Sequence, residues 1–163
     1  MNSLLPEETK IGHIHLTVAD LDRSLKFYRD LLGFQITQWY GDSAVFLSIG
    51  GYHHHIGLNT WAGKDAVPPP SGHTGLYHFG ILLPSRKDLA RLVKRLYEIN
   101  YPITGASDHG VSESIYLTDP DGNGVEIYSD RPVSDWPIDS HGHLQMSTKH
   151  LDLLNLLSEL DSE

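Results

Sequence analysis

The stretch Ile11-Gly12-His13-Ile14-His15-Leu16-Thr17-Val18 decides the reading of this chain, because its plan returns as Leu76-Tyr77-His78-Phe79-Gly80-Ile81-Leu82-Leu83. Setting His13 on His78 puts Ile11 on Leu76, Ile14 on Phe79, Leu16 on Ile81 and Val18 on Leu83. Apolar residues at alternate positions mark a strand with one buried face. A segment that recurs with its histidine in register makes the chain two copies of one plan.

Working outward, each strand leads into a helix. In the first copy Asp20 is a candidate N-cap, Leu21, Leu25, Tyr28 and Leu32 follow at helical spacing, and Gly33 suits a positive-φ C-terminal position. In the second, Ser85 caps, Asp88 falls in the first turn, and Leu89, Leu92, Val93 and Leu96 form the apolar face; Asn100 and Pro102 end it. Three short strands follow each helix: 34–40, 44–49 and 55–60, then 103–106, 114–118 and 125–129. The run Asp119-Pro120-Asp121-Gly122-Asn123-Gly124 reads as a turn, too short for a calcium-binding EF-hand loop. The expected fold is α+β: an arm at 1–10, βαβββ modules at 11–60 and 76–131, a Pro-rich linker at 61–75, and an extension at 132–163. In that extension Leu151, Leu154, Leu157 and Leu160 form an amphipathic stripe, with Ser147 or Thr148 as cap. Its apolar face offers a surface for the sheet or for a homodimer.

Composition narrows function. The formal charge of −9 argues against nucleic acid or an anionic membrane as partner. No stretch approaches the roughly 20 apolar residues of a membrane span, and Met1 to Lys10 lack a signal-peptide core, so a cytoplasmic protein is expected. Eleven histidines and no cysteine favour imidazole and carboxylate ligation of any metal. His13 and His78 stand at equivalent strand positions, and Glu126 lies between Val125 and Ile127 in an otherwise apolar run, where a carboxylate needs a cation or hydrogen bonds. Two imidazoles and one carboxylate are the donor set of a non-haem Fe(II) site with open positions.

These residues and their layout resemble the vicinal oxygen chelate superfamily, which includes glyoxalase I, bleomycin-resistance proteins and extradiol dioxygenases. The likeness runs from about Ile11 to Arg131 and rests on the His13 strand, Asp20-Leu21, Phe27-Tyr28-Arg29-Asp30-Leu31-Leu32-Gly33-Phe34, and Tyr116-Leu117-Thr118-Asp119-Pro120-Asp121-Gly122-Asn123-Gly124-Val125-Glu126-Ile127-Tyr128. The stretch Gly51 to Trp61 is most similar to bacterial catechol-2,3-dioxygenase proteins.

The resemblance implies two modules forming a curled mixed β-sheet around a metal held by His13, His78 and Glu126. It implies Fe(II), with Mn, Zn or Ni as other occupants, and a small aromatic, catechol-like substrate with O2. Glyoxalase-like members draw a fourth ligand from the last strand of the first module, where this chain has Gly57 or its neighbours Ile56 and Leu58, none of which can ligate. That favours an extradiol dioxygenase over a glyoxalase-type isomerase or lyase, or a small-molecule-binding resistance protein. The acid/base roles fall on His54, with His55 as rival, and on His109; Tyr116, ten positions before Glu126, falls to orienting substrate. Trp39, Tyr40, Phe46, Tyr77 and Phe79 are candidates for an apolar ring pocket, and His15 for a supporting or spare polar position.

Overall fold

A computed structural model describes residues 4–63 and 66–161. Residues 1–3, 64, 65, 162 and 163, which belong to the expected arm, linker and extension, lie outside the described residues. The chain divides into two compact units, Met1–Ser71 and Gly72–Glu163. Among the described residues no helix is long and apolar enough to cross a membrane.

The first unit runs β1 (Ile14–Thr17), α1 (Leu21–Leu25), β2 (Gln35–Tyr40), β3 (Ala44–Ser48) and β4 (Ile56–Asn59). Its sheet has the order β1-β4-β3-β2. β1 and β4 pair in parallel, and the other pairs are antiparallel. The Asp20 carboxylate caps α1 by accepting from the Arg23 N–H at 2.7 Å. The expected helix does not continue as an α-helix: Lys26–Leu31 widens into a π-turn, with the Leu32 N–H donating to the Phe27 carbonyl at 3.0 Å. The extra residue in the turn brings the adjacent Phe27 and Tyr28 both into the core, together with Leu31. Gly33, at φ 88°, ends the element as expected.

The second unit runs β5 (His78–Leu82), α2 (Arg86–Glu98), β6 (Gly105–Asp108), β7 (Ser112–Thr118), β8 (Gly124–Asp130), β9 (Lys149–His150) and α3 (Leu153–Leu157). The order is β5-β8-β7-β6-β9, again with a parallel pair, β5 with β8. Each module thus carries its own mixed sheet, as the expected pair of βαβββ modules requires. Ser85 caps α2 by accepting from the Asp88 N–H. Leu89, Val93 and Leu96 are buried, while Leu92 is half-buried. Ile115 and Leu117 of β7 and Val125 and Ile127 of β8 are buried on one face of the sheet, and α2 packs on β8. Alternation turns Ser114, Tyr116, Glu126 and His78 to the opposite face. Asp119, buried, accepts the Asp121 and Asn123 N–H groups and closes the β7–β8 turn as expected.

The extension differs from expectation. Ser147 and Thr148 do not cap its helix; Asp152 does, accepting from the Leu154 and Asn155 N–H groups at 3.0 Å. The chain just before it forms the edge strand β9 against β6, so the helix starts later. Leu151 and Leu156 are buried and Leu154 is exposed, which replaces the expected four-leucine stripe.

Candidate functional site

Four of the sequence-expected residues meet on one face of the second unit. Glu126 on β8 stands directly across from Tyr116 on β7, and Gly80 on β5 is its partner on the other side. The Tyr116 hydroxyl lies 3.1 Å from Glu126 Oε1, and the His78 Nε2 lies 2.9 Å from Glu126 Oε2. His109, just past β6, places Nε2 2.7 Å from the Tyr116 hydroxyl. Each carboxylate oxygen therefore has its own partner. Among the described residues no lysine or arginine reaches Glu126.

Glycines make room for this cluster. A Cβ at Gly124 would lie 2.5 Å from the Tyr77 carbonyl oxygen and 3.0 Å from the His78 Cβ. One at Gly105, across from Tyr116, would lie 3.3 Å from its ring. Glycine inside a strand marks such a close approach. Gly105 and Gly124 carry that signal in the sequence, where Gly124 reads as the end of a turn.

The single tyrosine proton has two places. With neutral His109, Tyr116 donates to Nε2; with charged His109, the ring donates to the phenol oxygen and Tyr116 donates to Glu126. Burial chiefly, then the Glu126 charge and hydrogen bond, push the Tyr116 phenol up from 10.0 to about 12. The fold favours the neutral phenol, so the stability this group lends is complete below pH 10.0 and is lost as pH climbs through about 12. In near-ultraviolet titration of the metal-free protein, Tyr116→Phe should match the parent up to about pH 11 and lack one tyrosine ionisation above it. A difference below pH 10 would contradict this environment.

In the first unit, His13 is exposed and stacks on His54 at 4.4 Å between ring centroids. His54 also packs on Phe46 at 5.0 Å and puts Nδ1 2.7 Å from the His53 Nδ1. Burial, then the charges of His13, His53, His15 and His55, hold the His54 imidazole below the ordinary histidine value. Neutral imidazole is a proton acceptor at neutral pH. His55 is engaged otherwise: its Nδ1 meets the Ser48 hydroxyl at 3.1 Å and the Ile49 N–H at 3.4 Å. His15 packs between Phe46 and Trp61. A Cβ at Gly57 would lie 2.9 Å from the His15 ring, so the imidazole fills the space where a side chain at 57 would begin.

Of the ring-pocket candidates, Trp39, Tyr40 and Tyr77 are exposed. Phe79 does not belong with them: it is buried in the core, and strand alternation turns it to the face opposite His78.

The donor set suits a divalent cation. Two ligands at right angles, each roughly 2.1 Å from one ion, stand about 3 Å apart, which matches the spacing of His78 Nε2 and Glu126 Oε2. The His78 Nδ1 is buried with no hydrogen-bond partner, a position that a ligating histidine fills with a second-layer acceptor or water. His13 lies in the other unit, and among the described residues no group of three or more His, Cys, Asp or Glu side chains converges as a metal site.

Comparison with known proteins bears on all of this. The family described as Glyoxalase/Bleomycin resistance protein/Dioxygenase superfamily matches residues 10–127. Catechol-2,3-dioxygenase of Bacillus subtilis (strain 168) is 43% identical over 157 residues, 96% of this chain and 54% of that protein. Metallothiol transferase FosB of Staphylococcus epidermidis (strain ATCC 12228 / FDA PCI 1200) is 28% identical over 125 residues, 76% of this chain and 83% of that protein. The crystal structure of a glyoxalase/dioxygenase from Nostoc punctiforme superposes with a TM-score of 0.65 at 21% identity, covering 81% of this chain and 99% of that one, a likeness of fold. The chain spans about half the length of the Bacillus dioxygenase. Strand order, module repeat and family match agree, and the chain belongs to the glyoxalase/bleomycin resistance protein/dioxygenase superfamily.

Proposed function

We propose that this chain is an extradiol dioxygenase, opening the ring of a catechol-like substrate with O2 at a ferrous ion held by His13, His78 and Glu126. The observation that carries the reading is the contact series His78–Glu126–Tyr116–His109 on one sheet face, together with the likeness to a catechol-2,3-dioxygenase. His13 is assigned by its equivalence to His78 in the repeat and by its exposed ring, which has no hydrogen-bond partner among the described residues. When bound, the ion supplies adjoining positions for both catechol oxygens and for O2.

The protein's own groups do the rest. Neutral His54 takes a proton from a catechol hydroxyl. Tyr116, kept un-ionised, holds the resulting oxyanion by hydrogen bond. His109 Nε2 hydrogen-bonds the Tyr116 hydroxyl and holds it in place. Phe46, packed against His54, offers an apolar surface for the substrate ring. Mn, Zn or Ni would bind the same donors.

Anaerobic loading with Fe(II), followed by a panel of catechols and then air, should yield a yellow ring-cleavage product. Full iron occupancy with no product from any catechol removes the proposal. The likeness to a metallothiol transferase defines the second reading, transfer of a thiol at the same metal, and thiol addition by the metal-loaded protein tests it.

A further inference from the structure

The family match ends at residue 127, yet a hydrogen bond to the candidate site comes from residue 147. His109 Nδ1 lies 2.8 Å from the Ser147 backbone carbonyl, and the Ser147 N–H donates back to the His109 carbonyl at 3.1 Å. A carbonyl only accepts. Nδ1 therefore keeps its proton whether the ring is neutral or charged, and Nε2 is left as the one nitrogen that hydrogen-bonds Tyr116.

The segment that brings the carbonyl is fastened at several points. β9 lies on β6, with His150 across from Ser107 and Lys149 across from Asp108. Leu151 and Leu156 are 3% and 0% exposed. Arg86, at the start of α2, donates to Asn155 and Glu159 of the α3 region and to the buried Glu113 of β7. Arg131 donates to the other Glu113 oxygen and to Asp108, one residue from His109. The carbonyl thus sits on a braced element, unlike a free loop.

We infer that the segment from Ser147 to Glu159 is a positioning element of the candidate site: the Ser147 carbonyl fixes the His109 tautomer and dedicates Nε2 to Tyr116. Its effect on turnover rests on the proposed function. The tautomer itself is a property of the metal-free protein. Serine is incidental here, since the group in use is backbone, and no side-chain pattern would have disclosed it.

The test is a long-range proton–nitrogen correlation spectrum of the full-length, metal-free protein. His109 should show a protonated Nδ1, and Tyr116→Phe should leave that pattern in place. A full-length chain with an ester in place of the Ser147–Thr148 amide keeps the shape and weakens the carbonyl as acceptor. It should raise the share of the Nε2–H tautomer roughly fivefold. In the iron-loaded protein it should lower kcat several-fold at unchanged KM. A parent spectrum with the proton on Nε2, a switch of tautomer on Tyr116→Phe, or an ester chain with the parental tautomer ratio would each overturn the inference. An iron-loaded protein inert toward catechols but with Nδ1 protonated would sink the proposed reaction and leave this assignment standing.

Discussion

Replacing His78 by alanine should strip the protein of metal and of turnover together. His78 offers Nε2 beside Glu126 Oε2 at 2.9 Å and is the imidazole nearest that carboxylate, His109 lying at 3.9 Å. Loss of a partner behind a ligand costs about 10–100-fold in affinity or activity, so loss of the ligand itself should exceed 100-fold. Elemental analysis after dialysis reads the first effect, and catechol turnover the second. His54→Ala provides the contrast. It removes a proton acceptor and should retain full metal while slowing turnover by roughly 100-fold or more. Should both variants lose metal, or both keep it, the division of roles between the two histidines is wrong. His78 is only half-buried and has no partner at Nδ1, so the alanine protein should still unfold cooperatively.

The second large effect is expected at Gly124→Ala. The added methyl would stand 2.5 Å from the Tyr77 carbonyl oxygen, a backbone atom that cannot swing aside as a side chain can. β5 and β8 would have to part where His78 and Gly124 are paired in the parallel ladder. Overpacking of this kind costs about 1–3 kcal/mol, and a backbone obstacle places this case at the upper end. His78 rides on the displaced strand, so metal affinity should fall along with the midpoint of urea unfolding. Gly75→Ala is the control: its Cβ would meet nothing within 4 Å, and stability should change by less than about 0.5 kcal/mol. A Gly124→Ala protein as stable as that control would show that the close approach of β5 and β8 is not needed.

Much of the architecture was legible because the repeat states it twice. Asp20 and Ser85 are short oxygen-bearing side chains just ahead of apolar residues at helical spacing, and both cap as that pattern requires. His78 stood out by its register with His13 in the repeat, Glu126 as a carboxylate in an apolar run and Tyr116 by the family resemblance, and strand alternation puts the three on one face of the second sheet. The parts that stayed hidden are those where tertiary packing decides. The π-turn at Lys26–Leu31 leaves no mark in a periodicity that still reads as helix. β9 is two residues long and exists only because β6 offers an edge. Glu113 lies just ahead of the expected strand at 114–118 and inside the observed β7, and its two arginine partners come from 27 residues before it and 18 residues after it. His13, the third proposed ligand, belongs to the first unit, and the geometry of the second unit sets out the His78–Glu126 pair alone.

Gly57 and His15 form a cross-strand pair in the parallel ladder of β1 and β4, with the imidazole lying over the glycine. The two positions share one space. A side chain at 57 brings its first carbon to 2.9 Å from the ring, so the imidazole has to leave its place against Phe46 and Trp61. A donor introduced at 57, to add to the three proposed, is therefore best paired with a smaller residue at 15, a double replacement whose first change clears the space for the second.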